Sequence, residues 1–448
     1  MKRMPLISAC LLIPIIAVAA VRSTASPDEK ASAADRARED FELMKLFAEA
    51  YEQIDLRYVR EVDRRQLVEA AVRGMTRHLD PYSTYIPPGE LSKFEQYLEQ
   101  EFVGIGIHVR AQSGNVEIVS LLPGSPAERA SLKPGDVLLE VDGKSIAGLS
   151  PQDTGKLLSG PTGRQVTLLV RRATGGDPET LTLTRETIQL PTVLGVRRQP
   201  DGTFDFRHAA DSTIARLRIT HFSTNTTDEM RAALQAISAA DFRGLILDVR
   251  SNPGGRMDVA ISIADMFLDT GTIVSIRGRG EQEKKEWSAR KSETLCRLPM
   301  VILANRSSAS ASEVLAGCLQ DNGRAVVVGE RTFGKGSVQS VVQLESGRSA
   351  LKLTTASYHR PSGVNIQRFP DSKTDDDWGV KPSDGHTVEL SKEQWAEWSR
   401  VWQSPDLIHG GSDSADKAAT PDLQLDHAVA FLSQQLTEPS DSATTATQ

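Results

Sequence analysis

Cysteine, histidine and aromatic residues are scarce in this chain: 448 residues contain three cysteines, eight histidines and 5% aromatic side chains. Cys10 falls in an N-terminal apolar run, which leaves Cys296 and Cys318 for the folded protein. Two distant cysteines make no disulfide framework, and their pairing depends on separation in space. Cys318 sits where a small residue packs on a helix, so a buried thiol is its expected state. No Cys or His cluster has ligand spacing, so neither a metal nor a cofactor is expected. Basic runs are missing too. With 52 Lys and Arg against 59 Asp and Glu, the formal net charge is −7, which excludes nucleic acid as a partner. Beyond the N-terminus no apolar run is long enough to cross a bilayer, and the length suggests two to three domains.

What is present begins with an export signal over residues 1–25. Lys2 and Arg3 precede an apolar run from Leu6 to Val21, broken by Ser8 and Pro14, and Ala17-Val18-Ala19 and Ser23-Thr24-Ala25 offer small-residue cleavage patterns. The run is short for ~30 Å of hydrocarbon, so cleavage and an exported, periplasmic location are expected. An uncleaved segment that leaves the protein membrane-associated is the alternative.

Residues 26–98 form a linker (26–36) and an N-terminal helical region. Leu43, Phe47, Tyr51, Ile54 and then Leu67, Ala70 and Met75 recur at helical steps, until Asp80-Pro81 ends the pattern. Short alternating β patterns separated by turn signals fill residues 99–187. Residues 188–392 alternate apolar strands with helices, as in an α/β core. Residues 393–448 hold C-terminal helices, with Trp395, Trp398 and Trp402 on one face and a short helix over 423–436, before a disordered Ser/Thr tail.

The chemistry concentrates in two segments, Ser307-Ser308-Ala309-Ser310-Ala311-Ser312-Glu313 and Thr332-Phe333-Gly334-Lys335-Gly336-Ser337-Val338-Gln339, with no histidine between them. A serine hydroxyl needs a neighbouring base, and a lysine serves when burial favours its neutral amine. Val301–Ala304 leads to the serines and Val326–Gly329 to the lysine. Two such strands would bring Ser310 and Lys335 to one edge of a sheet, as in a Ser–Lys hydrolase. The turn Asn252-Pro253-Gly254-Gly255 adds backbone amides able to hold an oxyanion.

Together these segments resemble the C-terminal processing peptidases, or tail-specific proteases, over about residues 40–390. The resemblance makes Ser310 the nucleophile, Lys335 the base and Gln339 the residue that holds the lysine. Gly255, preferred to Gly254, and Ala311 become the oxyanion donors. Phe102-Val103-Gly104-Ile105-Gly106-Ile107, Gly124-Ser125-Pro126-Ala127 and the stretch Leu132–Gly143 resemble a PDZ domain, in which the first segment binds substrate. A PDZ arginine that couples tail binding to the core corresponds to Arg172, with Arg171 the alternative. The implied fold is an α/β (α+β) multidomain chain, a crotonase-like ββα protease core with an inserted PDZ domain. The implied partners are protein or peptide substrates with apolar C-termini, an activating adaptor and further copies of the chain. His359 and Val364 depart from the family, which more often has a tyrosine and a basic residue there. The competing reading is a catalytically silent PDZ peptide-binding scaffold, which needs a broken dyad. A trypsin-like PDZ protease would need a G-x-S-G-G loop and a histidine base, and neither occurs.

Overall fold

The computed structural model of the chain describes residues 27–98, 101–112, 114–122, 124–199, 203–279, 284–402 and 421–437. The expected export signal and the Ser/Thr tail beyond residue 437 lie outside the described residues. Residues 1–74 form one compact unit and residues 75–448 another. The first unit carries the helix Pro27–Arg57 and the start of a helix over Arg64–Leu79. Its first helix begins at Pro27, so residues 27–36 are helix where a linker over 26–36 is expected. Ala31, Ala33 and Ala34 supply high helix propensity, and proline suits a first turn. Arg64 bonds both carboxylate oxygens of Asp55 at 3.0 and 2.7 Å, while Phe41, Leu43, Met44, Leu56 and Val59 stay exposed.

Within the second unit, residues 107–184 build an antiparallel sheet. Its strands run in the order Ile107–Gln112, Asn115–Leu121, Val137–Val141, Gln165–Arg171 and Glu179–Thr184. Alternation sends Val116, Ile118, Leu138, Val166, Leu168 and Val170 into one small core. The strands Glu101–Gly104 and Glu186–Gln189 pair with each other, so the chain enters and leaves this module side by side.

The larger core is a parallel sheet of β1 (Ile214–Ile219), β2 (Gly244–Asp248), β3 (Met300–Ala304) and β4 (Val326–Gly329), adjacent in that order. Both faces are covered, which is why Leu245–Leu247, Met300–Ala304 and Val326–Val328 read as unbroken apolar runs, while β1 carries Arg216 and Arg218. Helices α1 (Thr226–Ser238), α2 (Met257–Asp265) and α3 (Ala311–Asp321) pack with Leu247, Ile302 and Val327. On the opposite face α4 (Leu423–Thr437) lays Leu425, Ala428 and Leu432 over Ile246, Val301, Leu303 and Val328. A second, antiparallel sheet centres on the long strand Ser349–His359, flanked by Thr84–Ile86, Ser337–Leu344 and Thr272–Arg277. Cys296 and Cys318 are both free and buried. Among the described residues no helix is long and apolar enough to cross a membrane.

Candidate active site

Loops that leave the C-terminal ends of adjacent parallel strands converge, because strand register sets where they start. Asp248 pairs with Leu303, and Ala304 with Gly329. The loops after β2, β3 and β4 therefore start side by side and carry Asn252–Gly255, Ser307–Ser310 and Thr332–Lys335. Two serines tie the second loop to the first. Ser308 Oγ donates to the Val249 carbonyl (2.8 Å), and Ser312 Oγ to the Asn252 carbonyl (3.0 Å). Ser310 lies between them at the start of α3, 9% exposed, with φ 55° and ψ −115°. That backbone state costs a non-glycine residue roughly 1–3 kcal/mol and persists only where neighbours enforce it. Here the Ala309 N–H donates to the Asn252 carbonyl (3.0 Å), and the Ser310 N–H to Glu313 Oε2 (2.8 Å).

Glu313 holds the Ser310 and Lys335 loops together. Fully buried, it accepts from Thr332 Oγ1 (2.6 Å), the Gly334 N–H (2.7 Å) and the Lys335 N–H (2.8 Å), besides the Ser310 N–H. Burial pushes its carboxyl above the ordinary value, against the four donors that favour the anion. Sequence reasoning missed this residue, although the Ser310–Glu313 spacing is that of a capping box.

Lys335 is half-buried, and its ammonium lies 5.2 Å from the centroid of the Tyr82 ring. Its pKa is lowered by burial first and by the charge of Lys352 second, with Glu313 opposing. Ser310 Oγ and Lys335 Nζ are not hydrogen-bonded to each other, nor does Gln339 reach the lysine. Gln339 Nε2 instead donates to Ser337 Oγ (2.8 Å) and Thr354 Oγ1 (3.4 Å). A register shift between Val338 and Gln339 sets it opposite Thr354. Beside Tyr82 opens a cleft of about 1180 Å³, walled also by Arg277, Ser337, Thr354, Gln367 and Arg368.

The two glycines of the first loop differ. The Gly254 N–H donates to Asn252 Oδ1 (2.8 Å). The Gly255 and Ala311 N–H groups have no acceptor among the described residues, the condition an oxyanion donor needs. Gly254 is required for another reason: at φ 102°, a Cβ there would lie 2.8 Å from Ser310 Cβ and 2.7 Å from the Ala309 carbonyl oxygen.

Three family models match the chain. Residues 213–378 match peptidase family S41, residues 117–172 a PDZ domain, and residues 14–88 the activating protease CtpB N-terminal domain. The carboxy-terminal-processing protease of Bartonella bacilliformis is 32% identical over 89% of this chain and 90% of its own length. The protease CtpB of Bacillus subtilis is 33% identical over 78% of this chain and 69% of its own. The chain belongs to peptidase family S41. It is a serine-type peptidase with a PDZ domain, similar to the carboxy-terminal processing proteases. Of solved structures, the photosystem II D1 C-terminal processing protease covers 81% of this chain and 97% of that one, at 30% identity and a TM-score of 0.42.

In this S41 protease the PDZ sheet leaves Ile107–Gln112 at its edge, facing the helix Pro151–Leu158 across a groove of about 320 Å³. Ile105, Ile107, Val109 and Leu158 are among its walls. Gly104, Ile105 and Gly106 line its end, and the Ile105 and Gly106 N–H groups have no acceptor among the described residues. Phe102 and Val103, expected in that pocket, belong to the strand Glu101–Gly104, whose backbone pairs with Glu186–Gln189. Arg172, expected to couple the PDZ domain to the core, is bound within the PDZ domain. It donates to Asp136 Oδ2 (2.8 Å) and the Ser131 carbonyl (2.8 Å) and pairs with Glu179. The short strand-to-strand turn sets it above buried Asp136, which also accepts the Ala173 N–H. His359 bonds Ser357 Oγ and the Gly363 carbonyl.

Proposed function

We propose that this peptidase captures the C-terminal tail of a protein substrate in its PDZ groove and cuts upstream of it with Ser310 and Lys335. The carrying observation is the single buried carboxylate of Glu313, which binds the backbone N–H of both residues. Ser310 Oγ attacks the scissile carbonyl while neutral Lys335 Nζ takes its proton, once the amine has left the Tyr82 ring for the hydroxyl. The Gly255 and Ala311 N–H groups receive the oxyanion, Lys335 returns the proton to the leaving amine, and water then releases the acyl chain. Tail capture follows from the edge strand, which accepts an added peptide strand, and from free N–H groups that suit a carboxylate. Export and a periplasmic location rest on the basic start and apolar run before residue 25. A homo-oligomer and an activating adaptor complete the proposal.

The test is cleavage of a peptide with an apolar, free C-terminus, followed by mass spectrometry. Ser310→Ala and Lys335→Ala are each expected to bind it as the wild type does and to cut nothing, with the double variant no worse. Undiminished cleavage in either variant refutes the dyad. The separation of Ser310 from Lys335 favours a second reading, a silent peptide-binding scaffold. Wild-type protein that binds the tail and never cuts would establish that reading instead.

A further inference from the structure

At the foot of the oxyanion turn lies a buried charge cluster that the chemistry above does not use. Arg250, one residue before Ser251–Gly255, is fully buried. Its guanidinium folds back under the turn onto Asp248 at the end of β2, with Nε to Oδ1 at 3.0 Å and Nη2 to Oδ2 at 2.8 Å. Asp248 is already shared, because Arg216 Nη2 donates to Oδ2 at 3.3 Å. The second carboxylate comes from the far end of the chain. Asp422, just before α4, takes Arg250 in a bidentate pair at 2.7 and 2.8 Å. Gln424 Oε1 accepts from the same guanidinium at 3.2 Å, and the Trp398 ring lies 4.9 Å below it.

We propose that Asp422 is a positioning residue for the oxyanion turn: it anchors the Arg250 side chain, and through it the backbone that carries the Gly255 N–H. This rests on the peptidase reading above. The argument is one of charge. Arg216, Arg218 and Arg250 all feel Asp248, and Asp422 is the carboxylate that meets the remaining demand of Arg250. Without it, Arg250 loses a bidentate partner at a fully buried position, and removing one side of a buried ion pair is strongly unfavourable. The side chain free to respond is joined to the turn itself, and a displacement of about 1 Å at a reacting centre costs on the order of 10²-fold in rate. Asp422, just before the C-terminal helix, then serves the oxyanion turn, while the helix itself covers the sheet.

The test compares Asp422→Asn with Leu432→Ala in the full-length protein. Leu432 is buried on the C-terminal helix against the sheet, ten residues beyond Asp422. Asp422→Asn is expected to lower kcat by roughly 10- to 100-fold with KM unchanged, and to speed hydrogen exchange at the amides of residues 251–255. Leu432→Ala is expected to lower Tm while leaving kcat and that exchange as they are. Asp422→Glu, which keeps the carboxylate, is expected to recover most of kcat. Exchange at 251–255 that is unchanged in folded Asp422→Asn overturns the proposal whether or not the protein cleaves peptides. So does a kcat loss in Leu432→Ala as large as that in Asp422→Asn. A wild type without any cleavage refutes the peptidase reading, and exchange alone then decides whether Asp422 holds the turn.

Discussion

On the serine side of the cleft the backbone around Ser310 is tied down on several sides, with the Gly255 and Ala311 N–H groups left open. Ser308 and Ser312 bind the carbonyls of the neighbouring loop, the Ala309 N–H binds Asn252, and the Ser310 N–H binds Glu313. On the lysine side only the backbone is held. The Lys335 N–H shares Glu313, yet its ammonium rests against an aromatic ring and Gln339 is engaged with Ser337 and Thr354. The difference suits the roles proposed for each group. An oxyanion donor works by being in place before charge develops, which a fold sets through its backbone. A proton carrier must move between the hydroxyl and the leaving amine, and a long side chain on a fixed backbone allows that.

The largest effect expected from this contrast is at Lys335 itself. Lys335→Met is expected to abolish cleavage and to raise stability at neutral pH, because it removes a poorly solvated amine. The sign follows from linkage. The folded-state pKa of Lys335 is depressed, chiefly by burial, so between that value and lysine's unfolded value of about 10.4 the unfolded chain binds more protons. Wild-type stability therefore rises with pH through that window, and the advantage of the variant narrows as pH climbs. Denaturation at several pH values measures it. A variant less stable than wild type throughout would mean that the lysine is structural.

Glu313→Ala is expected next in size. It removes the side-chain acceptor shared by Ser310 and Lys335 and leaves three backbone N–H groups and a hydroxyl unsatisfied, at about 1–3 kcal/mol for each such group, though not additively. A loss of kcat on the order of 10²-fold is expected, with KM within a few-fold, together with a lowered Tm. A Tm loss with kcat intact at a temperature where the variant is folded would show that the loops keep their places without it. A smaller effect is expected in the PDZ domain. Gly106 has φ 80°, and a Cβ there would lie 2.2 Å from Ser125 Cβ. Gly106→Ala should raise KM about tenfold for tailed substrates, roughly 1.4 kcal/mol. It should leave cleavage of short peptides without a captured tail unchanged, and equal effects on both would place Gly106 outside tail binding.

Much of this site was legible in order along the chain. The apolar runs Leu245–Val249, Val301–Ala304 and Val326–Gly329 read as covered strands because both faces of the sheet are packed. Loops after neighbouring strands must meet, so Ser310 and Lys335 could be placed at one edge. What escaped the reading depends on partners remote in sequence or on local irregularity. Three of the donors to Glu313 come from the Thr332–Lys335 loop, and the carboxylate that holds Arg250 is Asp422. Gln339 faces Thr354 because of a bulge that no residue pattern announces. Arg172 is held by buried Asp136, a partner 36 residues away that no local pattern reveals.

The smallest expected effect tests why the lysine side can stay loose and still work. Lys352 lies on Ser349–His359, opposite Val341 and Thr84. It shares a strand face with Thr354, two residues on, whose hydroxyl takes Gln339. Its charge is the second cause, after burial, of the lowered pKa of Lys335. A cation next to a catalytic lysine keeps more of the amine neutral without gripping it, so the base needs no fixed hydrogen bond to be ready. Lys352→Met is therefore expected to move the rise of kcat/KM to higher pH while leaving the high-pH plateau unchanged. One partly screened charge is worth up to about 1 kcal/mol, so the loss at neutral pH should be less than about tenfold. Lys352→Glu should move the profile further in the same direction, because it replaces a repelling charge with an attracting one. A pH–rate series on a short peptide checks both variants. A profile that stays put would leave burial as the whole cause, and a plateau that falls with it would make Lys352 a contact of the substrate.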